Sequence, residues 1–155
     1  MNVFKKVLIS LGGIFVAVFA LFVWLGMGSA HFRTEQEPFV RTFVSDLSKR
    51  WVVSDVYDRL ANPFIEQAGT VQGKQLLQQF KQLGALKAVR DVELRNYNLS
   101  FHGQTGIFTF KGTFEHGEAI VDVTIIKKDA AVRVLGIYIT STHMQNRDLQ
   151  EKSQA

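Results

Sequence analysis

The spacing of apolar positions divides the chain into stretches of different period. From Val7 to Gly28, 17 of 22 residues are apolar, the other five are Ser10, Gly12, Gly13, Gly26 and Gly28, and none is charged. From Thr34 onward, Phe39, Val40, Phe43, Val44, Leu47 and Trp51 recur every three or four positions, the period of a helix with one buried face. Thr34 and Glu37 have capping-box spacing, with Pro38 in the first turns, so this helix is expected to begin at Thr34. A second, shorter helix is expected from Ser54, with Val56, Tyr57 and Leu60 inward, and Asn62-Pro63 should stop it, because a residue before proline is pushed out of helical geometry. A third is expected from about Val71 to Leu83, with Leu76, Leu77, Phe80 and Leu83 on one side and Gly84 just after its last turn.

After Gly84 the period becomes two, and β-branched and aromatic residues dominate. Strands are expected at about Val89 to Phe101, Gly106 to Phe114, Glu118 to Lys128 and Ala131 to Thr142. The connections His102-Gly103-Gln104, Glu115-His116-Gly117 and Lys128-Asp129-Ala130 are short enough for hairpins, which predicts an antiparallel meander. Phe108, Phe110 and Phe114, with Ala119, Val121, Val123 and Ile125, form the apolar set of the two middle strands and should face the helices. The opposite face mixes Thr109, Lys111, Ile120, Asp122, Thr124 and Ile126, joined by Tyr138 and Thr140. That face reads either as a solvated sheet surface or as a dimer or partner interface. The fold class is therefore α+β: an N-terminal apolar segment, three helices and a four-stranded antiparallel meander.

The uncharged run at the start is long enough, at about 1.5 Å per residue, to span a hydrocarbon layer of roughly 30 Å, and exceeds the roughly 7 to 15 apolar residues usual in a signal peptide. It is read as a retained transmembrane anchor over residues 7–28, after a cytoplasmic end at 1–6. A linker at 29–34, an exported domain at 35–143 and a flexible tail at 144–155 follow. The alternative is a signal peptide cleaved before His31, since Gly28, Ser29 and Ala30 are small residues. Lys5 and Lys6 flank the short side, while Arg33 on the far side is followed by Glu35 and Glu37, which keeps the amino terminus in the cytoplasm. Trp24 suits the interfacial belt, and Gly13 with Ala17 forms a small pair through which two such helices can approach. In a bacterial envelope this puts the span in the inner membrane and the domain in the periplasm.

Charge and composition narrow the partners. The whole chain carries 18 Lys and Arg against 14 Asp and Glu; setting Lys5 and Lys6 aside leaves 16 against 14, so the exported part has a net charge of only +2. No basic block interleaved with aromatics occurs, and nucleic-acid binding is not expected. There is no cysteine, so stability rests on an ordinary apolar core rather than on disulfides.

Candidate chemistry is sparse. Gly69-Thr70-Val71-Gln72-Gly73-Lys74-Gln75 superficially resembles a phosphate-binding loop, but its glycines are spaced one residue short and Gln75 stands where a magnesium-binding hydroxyl belongs, so it reads as a helix start. The turns holding His102 and His116 fall at opposite ends of a meander and cannot share a metal; His143 falls near His116, but no metal or other cofactor is expected. Tyr57 and Asp58 come nearest to a catalytic pair, yet neighbouring helix positions diverge by about 100°, so both cannot point inward. No acid, base and oxyanion set converges, and an enzyme is not expected.

Helices followed by a four-stranded meander in this length resemble the cone-shaped, cystatin-like fold of the nuclear transport factor 2-like superfamily. The residues carrying the likeness are Trp51, Ser54, Asp55 and Tyr57 with Leu60 and Phe64, then Leu83-Gly84 before the sheet, and Val132-Arg133-Val134-Leu135-Gly136-Ile137 in the last strand. The resemblance implies a sheet curled around the first helices to leave an apolar cavity, here lined by Trp51, Tyr57, Phe64, Phe80 and Phe108. Members use that cavity for isomerase or dehydratase chemistry, or use the fold for binding and assembly. The layout also resembles the inner-membrane assembly subunits of type IV secretion systems. The resulting expectation is a single-pass envelope protein whose exported domain binds a protein partner or a small apolar ligand. Its partner face is expected at Lys111, Asp122, Thr124 and Tyr138, with a homodimer or an envelope protein as the partner. A scaffold subunit of an envelope complex and a cavity enzyme are the alternatives.

Overall fold

The computed structural model describes residues 27–141. The expected cytoplasmic end, almost all of the anchor with Trp24, Gly13 and Ala17, His143 and the tail lie outside the described residues. Among the described residues no helix is long and apolar enough to cross a membrane. The chain forms two compact units, Met1–Glu35 and Gln36–Ala155. Helical backbone covers residues 27–50, and the part from 36 onward, which belongs to the larger unit, is called α1.

The expected linker at 29–34 is thus helical. Thr34 is not an N-cap either: its hydroxyl donates to the carbonyl of Ala30 at 3.1 Å, a bond one turn back inside a helix already under way. Capping-box spacing alone could not reveal this, because Gly28 to Arg33 carry no helix-breaking proline that would force a start further on.

In the larger unit, α1 buries Val40, Phe43, Val44 and Leu47, as the spacing predicts. It ends at Trp51, whose φ of 56° turns the chain out of the helix while its N–H still donates to the carbonyl of Leu47 at 2.7 Å. A short 3-10 helix follows at Val53–Arg59, then α2 at Asn62–Gly69 and α3 at Val71–Lys81. Asn62-Pro63 therefore opens a helix as well as closing the preceding turn. Proline is tolerated in a first turn because its missing N–H has no intrahelical partner there. Thr70 separates α2 from α3 and caps α3: its hydroxyl oxygen accepts from the Gly73 N–H at 3.0 Å and donates to the carbonyl of Gln67 at 2.6 Å. The glycine-rich stretch is a helix start, as expected.

The sheet is a meander in the order β1-β2-β3-β4, all pairs antiparallel: β1 Leu86–Ser100, β2 Gly103–Phe114, β3 Gly117–Lys128 and β4 Ala131–Thr140. It is open, with β1 and β4 at its edges. β1 is interrupted by three register shifts, between Leu86 and Ala88, Arg90 and Glu93, and Leu94 and Asn96, and Asp91 sits at φ 53° within the second. Such bulges bend an edge strand and blunt it against pairing with another chain. The edge at β4 is covered in part by the chain before α2, where the Ala61 N–H donates to the carbonyl of Val134 at 2.9 Å.

Phe108, Phe110, Phe114, Ala119, Val121, Val123 and Ile125 are all buried, with Val134 and Ile139 from β4, and form the core with the apolar face of α1. Two inward assignments fail. Tyr57 is 57% exposed, and Leu76 is exposed while Phe80 on α3 and Leu83 in the turn after it are buried. Val56, at φ −128°, breaks the helical turn around Tyr57, so positions there do not follow a 3.6-residue period.

Candidate functional site

Two regions hold the residues singled out by the sequence. The first is the set expected to line a cavity. Trp51 packs on Phe80 and Phe114 at ring-centre distances of 5.8 and 6.1 Å, and its indole N–H donates to the carbonyl of Gly84 at 3.0 Å. Phe108 is completely buried in the sheet core, and Tyr57 lies at the surface beside Asp58, Ile65 and Arg133. Only Phe64 and Phe80 of the five share a space, a cleft of about 80 Å³ between α2, α3 and β4, completed by Leu76, Leu77 and Ile137.

The second region is the sheet face turned away from the core. Its geometry follows from the β2–β3 and β3–β4 registers, which set Thr109 opposite Asp122 and Asp122 opposite Tyr138, and Lys111 opposite Ile120 and Ile120 opposite Thr140. Thr124 lies opposite Ile107, two residues further along β3. The four residues expected at a partner interface, Lys111, Asp122, Thr124 and Tyr138, are therefore brought to one face. Tyr138 is 64% exposed, and Ile120 is exposed beside it.

Polar bonds tie this face together across β1, β2 and β3. The Thr109 hydroxyl donates to Asp122 Oδ1 at 2.5 Å, Lys111 Nζ lies 3.3 Å from Asp91, and Arg90 donates to Glu118 at 2.5 Å. Arg90, Asp91, Lys111, Glu118, Ile120 and Thr140 border an open groove of about 330 Å³. The bulge delivers Asp91, since the extra residue in β1 carries its carboxylate within reach of Lys111. Alternation alone does not bring Asp91 to Lys111, because that pair depends on a register shift that no local pattern announces.

Among the described residues no three His, Asp or Glu side chains gather in a way that could hold a metal. His102 and His116 occupy turns at opposite ends of β2. Tyr57 and Asp58 are both exposed, and no buried side-chain nitrogen or oxygen among the described residues lacks a partner. No protein-family model matches the chain, and no curated protein matches it.

Proposed function

We propose that the protein is a single-pass, membrane-anchored binding module of the cell envelope, whose exported domain holds a protein partner on its outer sheet face. The reading takes residues 7–28 as the anchor and the helices with the meander as a nuclear transport factor 2-like cone. The observation that carries it is the row of Tyr138, Asp122 and Thr109 across three strands, with exposed Ile120 alongside. Threonine in a strand needs no partner to account for it, whereas an exposed tyrosine beside an exposed isoleucine and a bordering set of ion pairs has the aromatic centre and polar rim of an interface.

A protein partner is favoured over a small apolar ligand by size. Ligand pockets commonly measure about 300–1,000 Å³, and the apolar cleft at Phe64 and Phe80 offers about 80 Å³. It accommodates one side chain rather than a cofactor-sized molecule. A scaffold role in an envelope complex is the same reading with a larger assembly as the partner, and a second copy of the chain is its simplest form.

The test is recovery of the full chain from membranes with its neighbours, comparing wild type with Ile120→Lys and Tyr138→Lys. Both positions are exposed, so the fold should survive, which circular dichroism checks. A specific partner or second copy recovered with wild type and lost with both variants supports the proposal; recovery unaffected by either variant contradicts it.

A further inference from the structure

The two ends of the sheet differ in chemistry. At one end the β2–β3 turn, Glu115 and His116, is bonded into the body of the domain: the His116 N–H donates to the carbonyl of Leu83 at 3.0 Å, and Glu115 Oε2 accepts from the Ala85 N–H at 3.1 Å. At the other end the β1–β2 turn carries Phe101, which is fully exposed, and Leu99, which is also exposed. The β3–β4 turn lies against it, because a Cβ added to Gly103 would meet the carbonyl oxygen of Lys127 at 2.5 Å and the Cα of Lys128 at 3.5 Å. Half-buried Lys127 and exposed Lys128 thus end β3 at the same end of the sheet as the two exposed apolar residues; the acidic residue in these turns is Asp129.

The direction of α1 bears on this end. Ser48 Oγ accepts from the Leu86 N–H at 2.9 Å, and Arg41 donates to the carbonyl of Val89 at 3.4 Å, so α1 runs antiparallel to β1. Seven residues of helix and three of strand each cover about 10 Å, so the two contacts agree. The N-terminal end of α1 therefore points toward the end of the sheet that bears Phe101, Leu99 and Lys128.

We infer that this end of the sheet rests on an anionic lipid surface, with Phe101 and Leu99 among the headgroups and Lys127 and Lys128 against lipid phosphates. The inference rests on the anchored reading proposed above, in which the span precedes α1. Aromatic side chains suit the membrane interface and juxtamembrane lysines are drawn to anionic lipid. The consequence is an upright domain, its β2–β3 turn away from the bilayer and its outer sheet face free for a partner.

The chain has no cysteine, so single labels are unambiguous. Spin labels at His102→Cys and His116→Cys, in the full chain reconstituted into vesicles of phosphatidylglycerol and phosphatidylcholine, report accessibility to oxygen and to a water-soluble nickel chelate. The expected result is oxygen-accessible, chelate-protected label at 102 and chelate-accessible label at 116, with Phe101→Asp returning the label at 102 to water. Water exposure at both positions overturns the inference. So does lipid exposure at both, and so does shielding of 102 from both reagents, which marks a protein contact. Alkaline carbonate washing separates the two readings: a chain that resists washing with 102 in water keeps the anchor and loses the lipid contact. A chain washed off vesicles on which 102 had been lipid-exposed keeps the contact and loses the anchor.

Discussion

The indole N–H of Trp51 donates to the carbonyl of Gly84 at 3.0 Å, joining the end of α1 to the residue that closes α3. Both residues have positive φ, 56° and 75°, so the chain reverses at both ends of this bond. Around it Ser48 accepts from the Leu86 N–H, and Glu115 accepts from the Ala85 N–H, so two helices, β1 and the β2–β3 turn meet at one junction. Trp51→Phe leaves the Gly84 carbonyl without its donor and should cost about 1–3 kcal/mol. Gly84→Ala should cost about 1–2 kcal/mol from its positive φ alone, and its Cβ would also lie 2.5 Å from Glu115 Oε2. Urea unfolding should show lowered midpoints at unchanged slope for both.

The corner between α2 and α3 depends on a second glycine. A Cβ on Gly73 would stand 2.1 Å from the carbonyl oxygen of Gln67, a backbone atom that cannot move alone. Gly73→Ala, favourable by helix propensity in isolation, should therefore destabilise the domain. Thr70→Ala, which removes the cap but not the corner, should cost about 1 kcal/mol. A Gly73→Ala variant as stable as wild type would show that this corner is not held as tightly as described.

Acid should weaken the domain through two carboxylates. Hydrogen bonds from Lys49 and Arg59 hold the Asp46 carboxyl below its usual range, and the Ala85 N–H, then Lys87, do the same for Glu115. A carboxyl whose pKa is lowered by folding contributes stability that is complete above its unfolded value and lost as pH falls through the folded one. With unfolded values near about 4, stability should be level above about pH 5 and fall steadily below about pH 4. Asp46→Asn and Glu115→Gln should each flatten that fall, as thermal unfolding across pH will register.

Much of the fold is legible from period alone. The alternation in β2 and β3 identifies every buried side chain from Phe108 to Ile125 in those strands, because a strand with one wet face leaves no freedom in which residue points inward. The helical region is less legible. A 3.6-residue period puts Tyr57 inward, but the segment is a 3-10 turn broken at Val56, where that period does not hold. α2 is not legible, because Asn62-Pro63 reads equally as a stop and as a start. The outer face can be assembled from alternation, whereas the place of Asp91 beside Lys111 depends on a bulge visible only in three dimensions.

The two sheet faces should separate stability from binding. Phe108→Ala opens a fully buried site and should cost about 3–5 kcal/mol. Tyr138→Ser removes an exposed side chain and should change stability by no more than about 0.5 kcal/mol while weakening partner recovery. Denaturation of both purified variants, set beside their behaviour in membranes, checks the division.

The central claim, that the outer sheet face holds a protein partner, is tested most directly by a photo-crosslinking side chain installed at Tyr138 in cells, with the same group at exposed Val71 on α3 as the control. The account predicts an adduct of one defined mass at position 138, absent at 71 and abolished when Ile120→Lys is added to the chain. No adduct at 138, or the same adducts at both positions, would contradict it.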